Sequence, residues 1–499
     1  MYIFEKLREE AQIHPNNVIT SFNGKETTYA EFYRKVENLA GFFQQKGYEK
    51  GDIIALYLFN SDTFLIAYYA CQLGGFSVLP INTKLAPPEV EYIMQHSEAK
   101  VLIYDARLKP TLEQLADTVE QFKYTIEINT LETILDNQSI PFHQENIQKE
   151  DTAVIFYTSG TTGRPKGVCL SADNVRACAE IWAESLETSS KDRTHIVTPL
   201  FHCAASHCFS IPTIVNGGTV IIEEAFIPEQ ALKTMEKERV TIFFGVPAIY
   251  STLLNSQQMK ETDLSNLRLF TYGAAPMPYE LVKRLKTTYP KVKVQNLYGQ
   301  TENSPGATTL KDHYALEKIG SVGEPLPYTQ VRVVGEDGKD VRPQEVGEII
   351  VKGPQVMKGY LKNEEATRMT LKDGWLYSGD LGRIDEDGLL YIVDRKKDML
   401  IRGGENVYPI EVEEVLYQLD EVLEAAVVGI PHAIYGEVPR AFIVLKEGKQ
   451  LSAEEIKQYC QQNLAKYKIP ESITFVEELP RNASGKVLKH TLRDEYVRA

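Results

Sequence analysis

Residues 154–167 read Val-Ile-Phe-Tyr-Thr-Ser-Gly-Thr-Thr-Gly-Arg-Pro-Lys-Gly. The first four are apolar or aromatic, and such a run predicts a buried strand. The hydroxyls, glycines and two cations that follow form a loop whose successive backbone N–H groups can surround an anion. The stretch therefore predicts a polyphosphate-binding loop at the end of a strand.

The loop differs from the Walker A loop, in which a glycine, four residues and then Gly-Lys-Ser/Thr open a helix. Gly163 is followed by Arg164-Pro165, and Lys166 is followed by Gly167 instead of a hydroxyl residue. Pro165 also disfavours helical geometry at the residue before it. A plain Gly/Thr turn is the remaining alternative. It is disfavoured because the hydroxyls, glycines and cations of this run all suit the binding of an anion.

The composition of the chain indicates which classes of protein it can belong to. The length of 499 residues, with 43% apolar and 25% charged residues, predicts a globular protein of several domains. A net charge of −15 argues against a protein that binds nucleic acid. The six cysteines form no Cys-x-x-Cys pair, and the longest apolar run, Phe64 to Cys71, is too short to span a membrane. We expect a cytoplasmic protein with no integral membrane segment.

Helical and strand patterns alternate through most of the chain, which predicts a largely parallel sheet with helices. Strand-like runs lie at 196–198, 219–222, 241–244, 269–272 and 292–297. We predict an α/β protein with a large N-terminal domain, residues 1–394, of mixed, mostly parallel sheets flanked by helices. Hairpin turn signals predict a small antiparallel β subdomain at about 321–393. A smaller α+β C-terminal domain follows at 395–499.

Five further motifs carry polar chemistry. They are Tyr298-Gly-Gln-Thr-Glu302, Ser378-Gly-Asp380, Arg395, Arg402-Gly-Gly-Glu-Asn406 and Pro480-Arg-Asn-Ala-Ser-Gly-Lys486. An aromatic can stack on a base, a hydroxyl can bind phosphate, and a carboxylate can hold Mg²⁺. Each motif alone is weak, because a Gly-Asp pair is usually a turn and a lone lysine is usually solvated.

In this order and spacing the motifs resemble the adenylate-forming, acyl-CoA synthetase superfamily, which includes coenzyme A ligases, luciferases and peptide-synthetase adenylation domains. The resemblance covers nearly the whole chain. It implies an enzyme that uses ATP and Mg²⁺ to make an acyl-AMP from a carboxylic acid, releasing pyrophosphate. Coenzyme A would then displace AMP. It also implies that the C-terminal domain is a mobile lid with its hinge at Lys397, and it leaves a homodimer open.

The resemblance assigns roles to individual residues. The nucleotide would be bound by Thr158, Ser159, Gly160, Thr161, Thr162, Gly163 and Lys166 at the phosphates, by Gly273, Ala274, Ala275, Pro276, Tyr298 and Gly299 around the adenine, by Thr301 at the α-phosphate, and by Asp380 and Arg395 at the ribose. The catalytic residues would be Thr158, Thr301, Glu302 as the Mg²⁺ ligand, and Lys486 between the acid and the α-phosphate. Gly403, Gly404 and Glu405 would line the pantetheine tunnel.

The acid pocket follows from the resemblance and from the loops after three strands. Its lining would be His202, Ala204, Ser206, His207, Phe244, Gly245, Val246, Tyr272 and Gly273. We do not predict a metal site at the histidines and cysteines of 201–209, because each pair is five apart in one helix-like run.

The lining contains no Arg or Lys to pair a second carboxylate, which favours an apolar monoacid. Its small residues leave room for a medium- or long-chain fatty acid. An aromatic acid and an enzyme that loads a separate carrier protein stay open as alternatives. The intact Lys486 and Glu302 argue against a non-catalytic binding protein.

Overall fold

A computed structural model describes residues 1–115, 124–136, 139–158, 165–275, 277–432, 434–481 and 487–498. Several predicted site residues lie outside this part of the chain: Ser159, Gly160, Thr161, Thr162, Gly163, Pro276 and Lys486. The anchors of the phosphate loop, the adenine and acid motifs other than Pro276, and the ribose motif lie inside it.

Helices and strands alternate along the described chain. The strands are β1 Val18–Phe22, β2 Lys25–Thr28, β3 Ile53–Tyr57, β4 Ser77–Pro80, β5 Val101–Tyr104, β6 Tyr124–Glu127, β7 Thr152–Thr158, β8 Lys166–Ser171, β9 Arg193–Ile196, β10 Thr219–Ile222, β11 Ile242–Gly245, β12 Leu269–Gly273, β13 Lys293–Tyr298, β14 Thr308–Leu310, β15 Ser321–Pro325, β16 Gln330–Val334, β17 Gly347–Lys352, β18 Gly359–Tyr360, β19 Leu371–Lys372, β20 Trp375–Ile384, β21 Leu390–Arg395, β22 Leu400–Arg402, β23 Glu405–Val407, β24 Val422–His432, β25 Gly436–Leu445 and β26 Ser472–Phe475. The helices are Ile3–Ile13, Tyr29–Gln45, Asp62–Gly74, Pro87–Ser97, Lys109–Glu113, Ile128–Asp136, Ala172–Ser185, Ile211–Val215, Pro228–Lys237, Pro247–Asn255, Gln257–Glu261, Tyr279–Thr288, Glu364–Thr370, Pro409–Leu416, Ala453–Asn463 and Lys489–Arg498. Short 3-10 turns lie at Ala106–Leu108, Thr301–Asn303, Asp312–Tyr314 and Lys466–Lys468, and a π-helix lies at Ala204–Ser210.

Two compact units form from the chain, and the first contains residues 1–331 and 351–377. One of its sheets has the order β15-β14-β13-β12-β11-β9-β10-β1-β2, with β13 through β1 parallel. Its other sheet has the order β18-β8-β7-β4-β3-β5-β6, in which β7, β4, β3, β5 and β6 are parallel. The predicted fold class, mixed and mostly parallel sheets with helices, is confirmed.

The helix Asp62–Gly74 shows how local sequence sets an element of this unit. Ser61 accepts the N–H of Phe64 at 3.2 Å and caps the start, and Gly75 ends the helix with a φ of 73°. The residues from 63 to 74 are buried, so the helix packs on all sides. Gln72 satisfies its buried amide by donating to the carbonyl of Ala153 in β7 at 2.9 Å, which ties the helix to the strand before the phosphate loop.

One strand position was predicted wrongly. The run 196–198 was expected to form a strand, whereas β9 is Arg193–Ile196 and pairs in parallel with β10. Arg193, Thr194 and His195 obscure the strand in the sequence because they are polar. Thr194 and His195 are nevertheless fully buried, and Arg193 donates to the carbonyl of Glu238. Pairing with β10 therefore places in the sheet polar residues that the hydrophobic pattern excludes.

The second unit contains residues 332–350 and 378–499. β24 and β25 form a long antiparallel pair, β22 pairs with β23 and β25, and β26 runs parallel to β25. Ser452 caps the helix Ala453–Asn463 through the predicted capping box. This grouping places 332–350 and 378–394 with the C-terminal residues, whereas we predicted one boundary at 394/395. That boundary and the lid remain predictions.

The six cysteines are unpaired, and five of them are buried. Burial raises the pKa of Cys169, Cys203 and Cys460 to about 11, and it raises the pKa of the other thiols as well. Among the described helices, none combines the length and apolar character needed to cross a bilayer.

We expect the folded protein to resist thiol reagents, because only the thiolate reacts and the six thiols are protonated at neutral pH. Titration with a chromogenic disulfide at pH 8 should modify at most the partly exposed Cys203 rapidly. The same titration in denaturant should count six thiols. Rapid reaction of two or more thiols in the folded protein would contradict this burial.

Candidate active site

The two described ends of the predicted phosphate loop belong to one β-hairpin. Thr158, the last residue of β7, pairs in antiparallel register with Lys166, the first residue of β8. Residues 153–156 are buried, as the apolar run predicts. The hairpin holds the two ends of the loop about 5 Å apart, the normal spacing of paired strands.

Thr301 and Glu302 lie on a single 3-10 turn, Thr301–Asn303, just after β13. The side chain of Asn303 accepts the backbone N–H of Gln300 at 2.8 Å and holds the turn. A Cβ on Gly299 would lie only 1.9 Å from the carbonyl oxygen of Pro305. Only glycine allows the chain to double back this closely, so Gly299 fixes the direction in which the turn leaves the strand.

The segment 357–361 connects the hairpin to this turn. Met357 donates its N–H to the carbonyl of Glu302 at 2.8 Å, and Leu361 donates to the carbonyl of Gly167 at 2.7 Å. Between them, β18 pairs with β8 in antiparallel register. The two chain-distant motifs are therefore held together by main-chain hydrogen bonds.

Tyr360 lies between the two motifs. Its hydroxyl donates to Oε1 of Glu302 at 2.9 Å, and the ammonium of Lys166 lies 4.8 Å from the centroid of its ring. The sequence analysis missed this residue. It is marked only by a Gly-Tyr pair in a β-rich stretch, and neither periodicity nor spacing distinguishes such a pair.

The π-helix Ala204–Ser210 carries the acid-pocket motif that follows β9. The N–H of Ile211 bonds the carbonyl of Ser206, one residue further back than in an α-helix. Just before this helix, the thiol of Cys203 lies 3.5 Å from Oγ1 of Thr301. The structure thus brings the start of the predicted acid pocket next to the predicted α-phosphate residue.

His202 is uncharged at neutral pH. Burial, with the charge of Lys84, lowers the pKa of His202 to about 4. Its carbonyl accepts the hydroxyl of Ser206 at 3.1 Å, and its ring packs 4.8 Å from that of Phe201. Within the described part of the chain, its Nε2 has no hydrogen-bond partner.

His207 lies deeper, inside the core. It is fully buried, its Nε2 is hydrogen-bonded to the hydroxyl of Tyr68 at 2.8 Å, and its ring meets Phe156 edge-on at 5.1 Å. Burial lowers its pKa to about 3, so this imidazole is also neutral. Its contacts are with the buried helix Asp62–Gly74 and with β7, and its place in the pocket lining stays a prediction.

The ends of β11 and β12 carry the other predicted lining and adenine residues. Phe244 stacks on Phe209 with ring centroids 4.6 Å apart, and Gly245 and Val246 lead into the helix Pro247–Asn255. Burial raises the pKa of Tyr272 to about 12, so its phenol is neutral.

A Cβ on Gly273 would lie 2.5 Å from the carbonyl of Leu297, one residue before Tyr298. Gly273 therefore lets β12 approach β13 where the predicted adenine residues lie. Ala274 takes a left-handed φ of 66°, and Ala275 follows it on the exposed side of this bend.

The remaining predicted residues belong to the second unit. Asp380 and Arg395 are directly paired in β20 and β21, with 3.4 Å between Oδ1 and Nε. Gly403 and Gly404 have φ values of 60° and 93° in the turn before Glu405. Burial lowers the pKa of Lys397. Asp380 and Arg395 are therefore adjacent in the fold, and the predicted roles of all these residues stay predictions.

The described geometry has a counterpart in a known family. Residues 7–361 match the AMP-binding enzyme family, and residues 411–486 match the AMP-binding enzyme C-terminal domain. The chain belongs to the AMP-binding enzyme family. The first match includes the predicted phosphate loop, the Glu302 turn and Tyr360, and the second lies within the second unit.

Similar proteins share this family's size and fold. The chain is 38% identical to a feruloyl-CoA synthase of Amycolatopsis over 97% of each chain. It is 35% identical to the solved Mycobacterium tuberculosis fatty acyl CoA synthetase, with a TM-score of 0.82 over 100% of this chain and 98% of that one. It is 33% identical to o-succinylbenzoate coenzyme A synthetase from Bacillus subtilis, solved with ATP and magnesium, with a TM-score of 0.89 over 98% and 99%.

Family membership confirms the predicted superfamily and enzyme class. This AMP-binding enzyme is an AMP-forming acid–thiol ligase. The three named proteins act on three different kinds of acid at similar identity, so similarity alone does not select the substrate.

Glu302 provides the donor chemistry that Mg²⁺ requires. Among the described residues, no group of three or more His, Cys, Asp or Glu side chains could hold a metal ion by itself. Mg²⁺ is usually held by one or two carboxylates and completes its shell with waters and substrate phosphates. A single carboxylate next to the phosphate-loop hairpin fits that pattern.

We expect Gly299→Ala to damage the active site of this AMP-binding enzyme. The new Cβ must push the Pro305 carbonyl away by more than 1 Å, and the turn with Thr301 and Glu302 has to move with it. A displacement of that size reduces kcat/KM by roughly 10²-fold. Acid-dependent pyrophosphate release measures the loss.

Gly335→Ala is the matched control, because its Cβ would meet the end of the Asp337 side chain at 3.3 Å and otherwise only atoms at 3.8 Å or more, an ordinary van der Waals distance. This control should keep parental activity. Equal kcat/KM for Gly299→Ala and the parent would show that the close approach does not position the turn.

Proposed function

We propose that the enzyme is an acid–CoA ligase for an apolar monocarboxylic acid, preferably a medium- or long-chain fatty acid. It would convert the acid and ATP to an acyl-AMP and pyrophosphate, and then form the acyl-CoA with release of AMP. One observation carries this choice of acid: the described side chains of the predicted pocket are apolar, aromatic or neutral.

The charge state of the pocket supports a monoacid. His202 and His207 are neutral because burial lowers their pKa values to about 4 and about 3. Phe244, Val246 and Tyr272 add apolar or neutral surface. None of these residues is a cation, and Lys84, whose charge acts on His202, is exposed. A second carboxylate buried against the predicted lining would therefore be unpaired, which is strongly unfavourable.

An aromatic acid, such as a benzoate or cinnamate, is the second candidate. Phe244, a residue of the predicted lining, stacks on Phe209 with ring centroids 4.6 Å apart, and an aromatic acid gains more than an aliphatic one by packing against an aromatic side chain. A fatty acid needs only apolar contact. The two candidates therefore differ in how much binding free energy a planar ring gains in the pocket.

The nucleotide roles in the first unit are those that the family resemblance implies. Thr158 and Lys166 would hold the β- and γ-phosphates from the two ends of their loop. Thr301 would contact the α-phosphate, and Glu302 would bind Mg²⁺, which neutralises the departing pyrophosphate. Tyr298 would stack on the adenine beside Gly273.

In the second unit, Asp380 and Arg395 would hold the ribose. Lys486 would stabilise the charge that builds between the attacking carboxylate and the α-phosphate. Gly403, Gly404 and Glu405 would line the path of pantetheine, and Lys397 would be the hinge. We place the enzyme in the cytoplasm, where its unpaired cysteines stay reduced.

A panel of acids tests the proposed substrate. Pyrophosphate release with ATP and Mg²⁺, and thioester formation with CoA, would be measured for dodecanoate, dodecanedioate, benzoate and cinnamate. We expect dodecanoate to give the highest kcat/KM. Dodecanedioate, its matched partner with one added carboxylate, should fall roughly 10²-fold, because the second charge is buried without a partner.

Other results of the panel assign the alternatives. A higher kcat/KM for cinnamate than for dodecanoate would favour the aromatic acid. Adenylation without an acyl-CoA product would favour a separate carrier protein as the thiol acceptor. Pyrophosphate release by none of the acids would contradict the proposed substrate class.

Lys486→Ala tests the two-step mechanism. Loss of this cation should slow adenylation by roughly 10²–10³-fold, because a positioned charge stabilises the transition state of that step. Thioester formation from a supplied acyl-AMP should keep most of its rate. The two half-reactions are followed separately, by pyrophosphate and by acyl-CoA.

Lys489→Ala is the control for general loss of charge, since Lys489 pairs with Glu413 at 2.8 Å within the second unit. It should leave both half-reactions near parental rates. An equal fall of both half-reactions in Lys486→Ala would contradict a role for Lys486 in only the first step.

A further inference from the structure

We propose that Tyr360 is a positioning residue that holds Lys166 and Glu302 apart, so that one stays available for phosphate and the other for Mg²⁺. This proposal rests on the proposed function, because it concerns the nucleotide half of the same site. Tyr360 acts through its two neighbours, Lys166 and Glu302. We do not propose that it contacts a reacting atom.

The two charged groups share one aromatic partner and do not pair with each other. Tyr360 donates to Oε1 of Glu302 at 2.9 Å, and Lys166 Nζ lies 4.8 Å from the ring centroid. Within the described residues, neither Lys166 nor Glu302 forms an ion pair within 4.0 Å. A lysine and a glutamate this near one tyrosine would attract each other if the ring were absent.

The backbone holds this tyrosine firmly. Its N–H donates to Oγ1 of Thr367 at 2.9 Å, and the N–H of Leu361 bonds the carbonyl of Gly167 at 2.7 Å. The preceding Gly359 has a φ of 150°, and a Cβ there would lie 2.7 Å from the side chain of Thr367. These contacts hold the backbone on both sides of Tyr360. They therefore fix the point from which its ring extends toward Lys166 and Glu302.

The hydrogen bond from Tyr360 occupies one carboxylate oxygen of Glu302, at 2.9 Å. A protonated phenol uses Oε1 of Glu302 as acceptor and leaves Oε2 for a cation. This arrangement suits one carboxylate oxygen on Mg²⁺, with phosphates and waters as the other ligands.

Tyr360→Phe removes the donor and keeps the ring under Lys166. The freed carboxylate should lose its orientation toward the metal, and groups that orient a metal ligand typically change affinity or activity by about 10-fold or more. We expect the Mg²⁺ concentration for half-maximal pyrophosphate release to rise about 10-fold. The KM for the acid should not change.

A binding measurement avoids dependence on turnover. ATP affinity is measured by calorimetry with Mg²⁺ and with EDTA, and the ratio of the two affinities gives the gain from the metal. Tyr360→Phe should reduce this ratio and leave the affinity in EDTA nearly unchanged. Tyr360→Leu, which also removes the ring, should weaken ATP binding in EDTA too, because Lys166 is then free to approach Glu302.

Tyr391→Phe is the matched control. Tyr391 donates to Oδ2 of Asp385 at 3.3 Å, and the guanidinium of Arg383 lies 4.3 Å from its ring centroid, so it has the same kinds of partner in the second unit. Its Mg²⁺ dependence should match that of the parent. Should Tyr360→Phe fail to fold, Thr367→Val removes the acceptor of the Tyr360 N–H and should shift the Mg²⁺ dependence in the same direction.

A double variant separates positioning from general packing. In a Glu302→Gln background, Tyr360→Phe should no longer change the Mg²⁺ gain in ATP affinity. Unchanged Mg²⁺ dependence in Tyr360→Phe, or an equal effect with and without Glu302, would overturn the proposal. These binding results do not depend on which acid is used. They can therefore contradict the role of Tyr360 while the ligase function stands, and the acid panel can contradict the ligase function while the role of Tyr360 stands.

Discussion

The active site depends on the main-chain connection made by the segment 357–361. Its two ends bond the carbonyls of Glu302 and Gly167, and its middle pairs with β8. Backbone hydrogen bonds do not depend on side-chain rotamers, so this connection fixes the distance between a hairpin in one sheet and a turn at the end of β13 in the other. The charged side chains then need only small adjustments when a nucleotide binds.

Much of the fold is predictable because it follows from local pattern. Strands β7, β10 and β12 contain the predicted apolar runs, since a parallel strand covered on both faces must be apolar. The position of β9 was predicted wrongly because three of its four residues are polar and give no apolar run. The grouping into two units could also not be predicted from the local sequence pattern, because the chain passes between the two units more than once.

The candidate site was predictable to the extent that its residues form short motifs. Thr158, Lys166, Thr301 and Glu302 were found because hydroxyls, glycines and charges cluster within a few positions. Tyr360 was missed because it meets Glu302 from 58 positions away, and only pairing of β18 with β8 brings it there. For His207 the short motif misleads. Its position five residues after His202 does not show that its ring points into the core toward Tyr68.

The π-helix Ala204–Ser210 has a consequence for how enzymes of this family can diverge. A π-helical turn contains one residue more than an α-helical turn and so records the equivalent of a one-residue insertion. Deleting one residue would restore α-helical spacing and rotate the chain before it, including His202, by about 100° relative to the helix Ile211–Val215. The sheets and the nucleotide motifs would stay in place. Loss of one codon would therefore exchange the side chains of the predicted acid pocket and leave the rest of the chain unchanged.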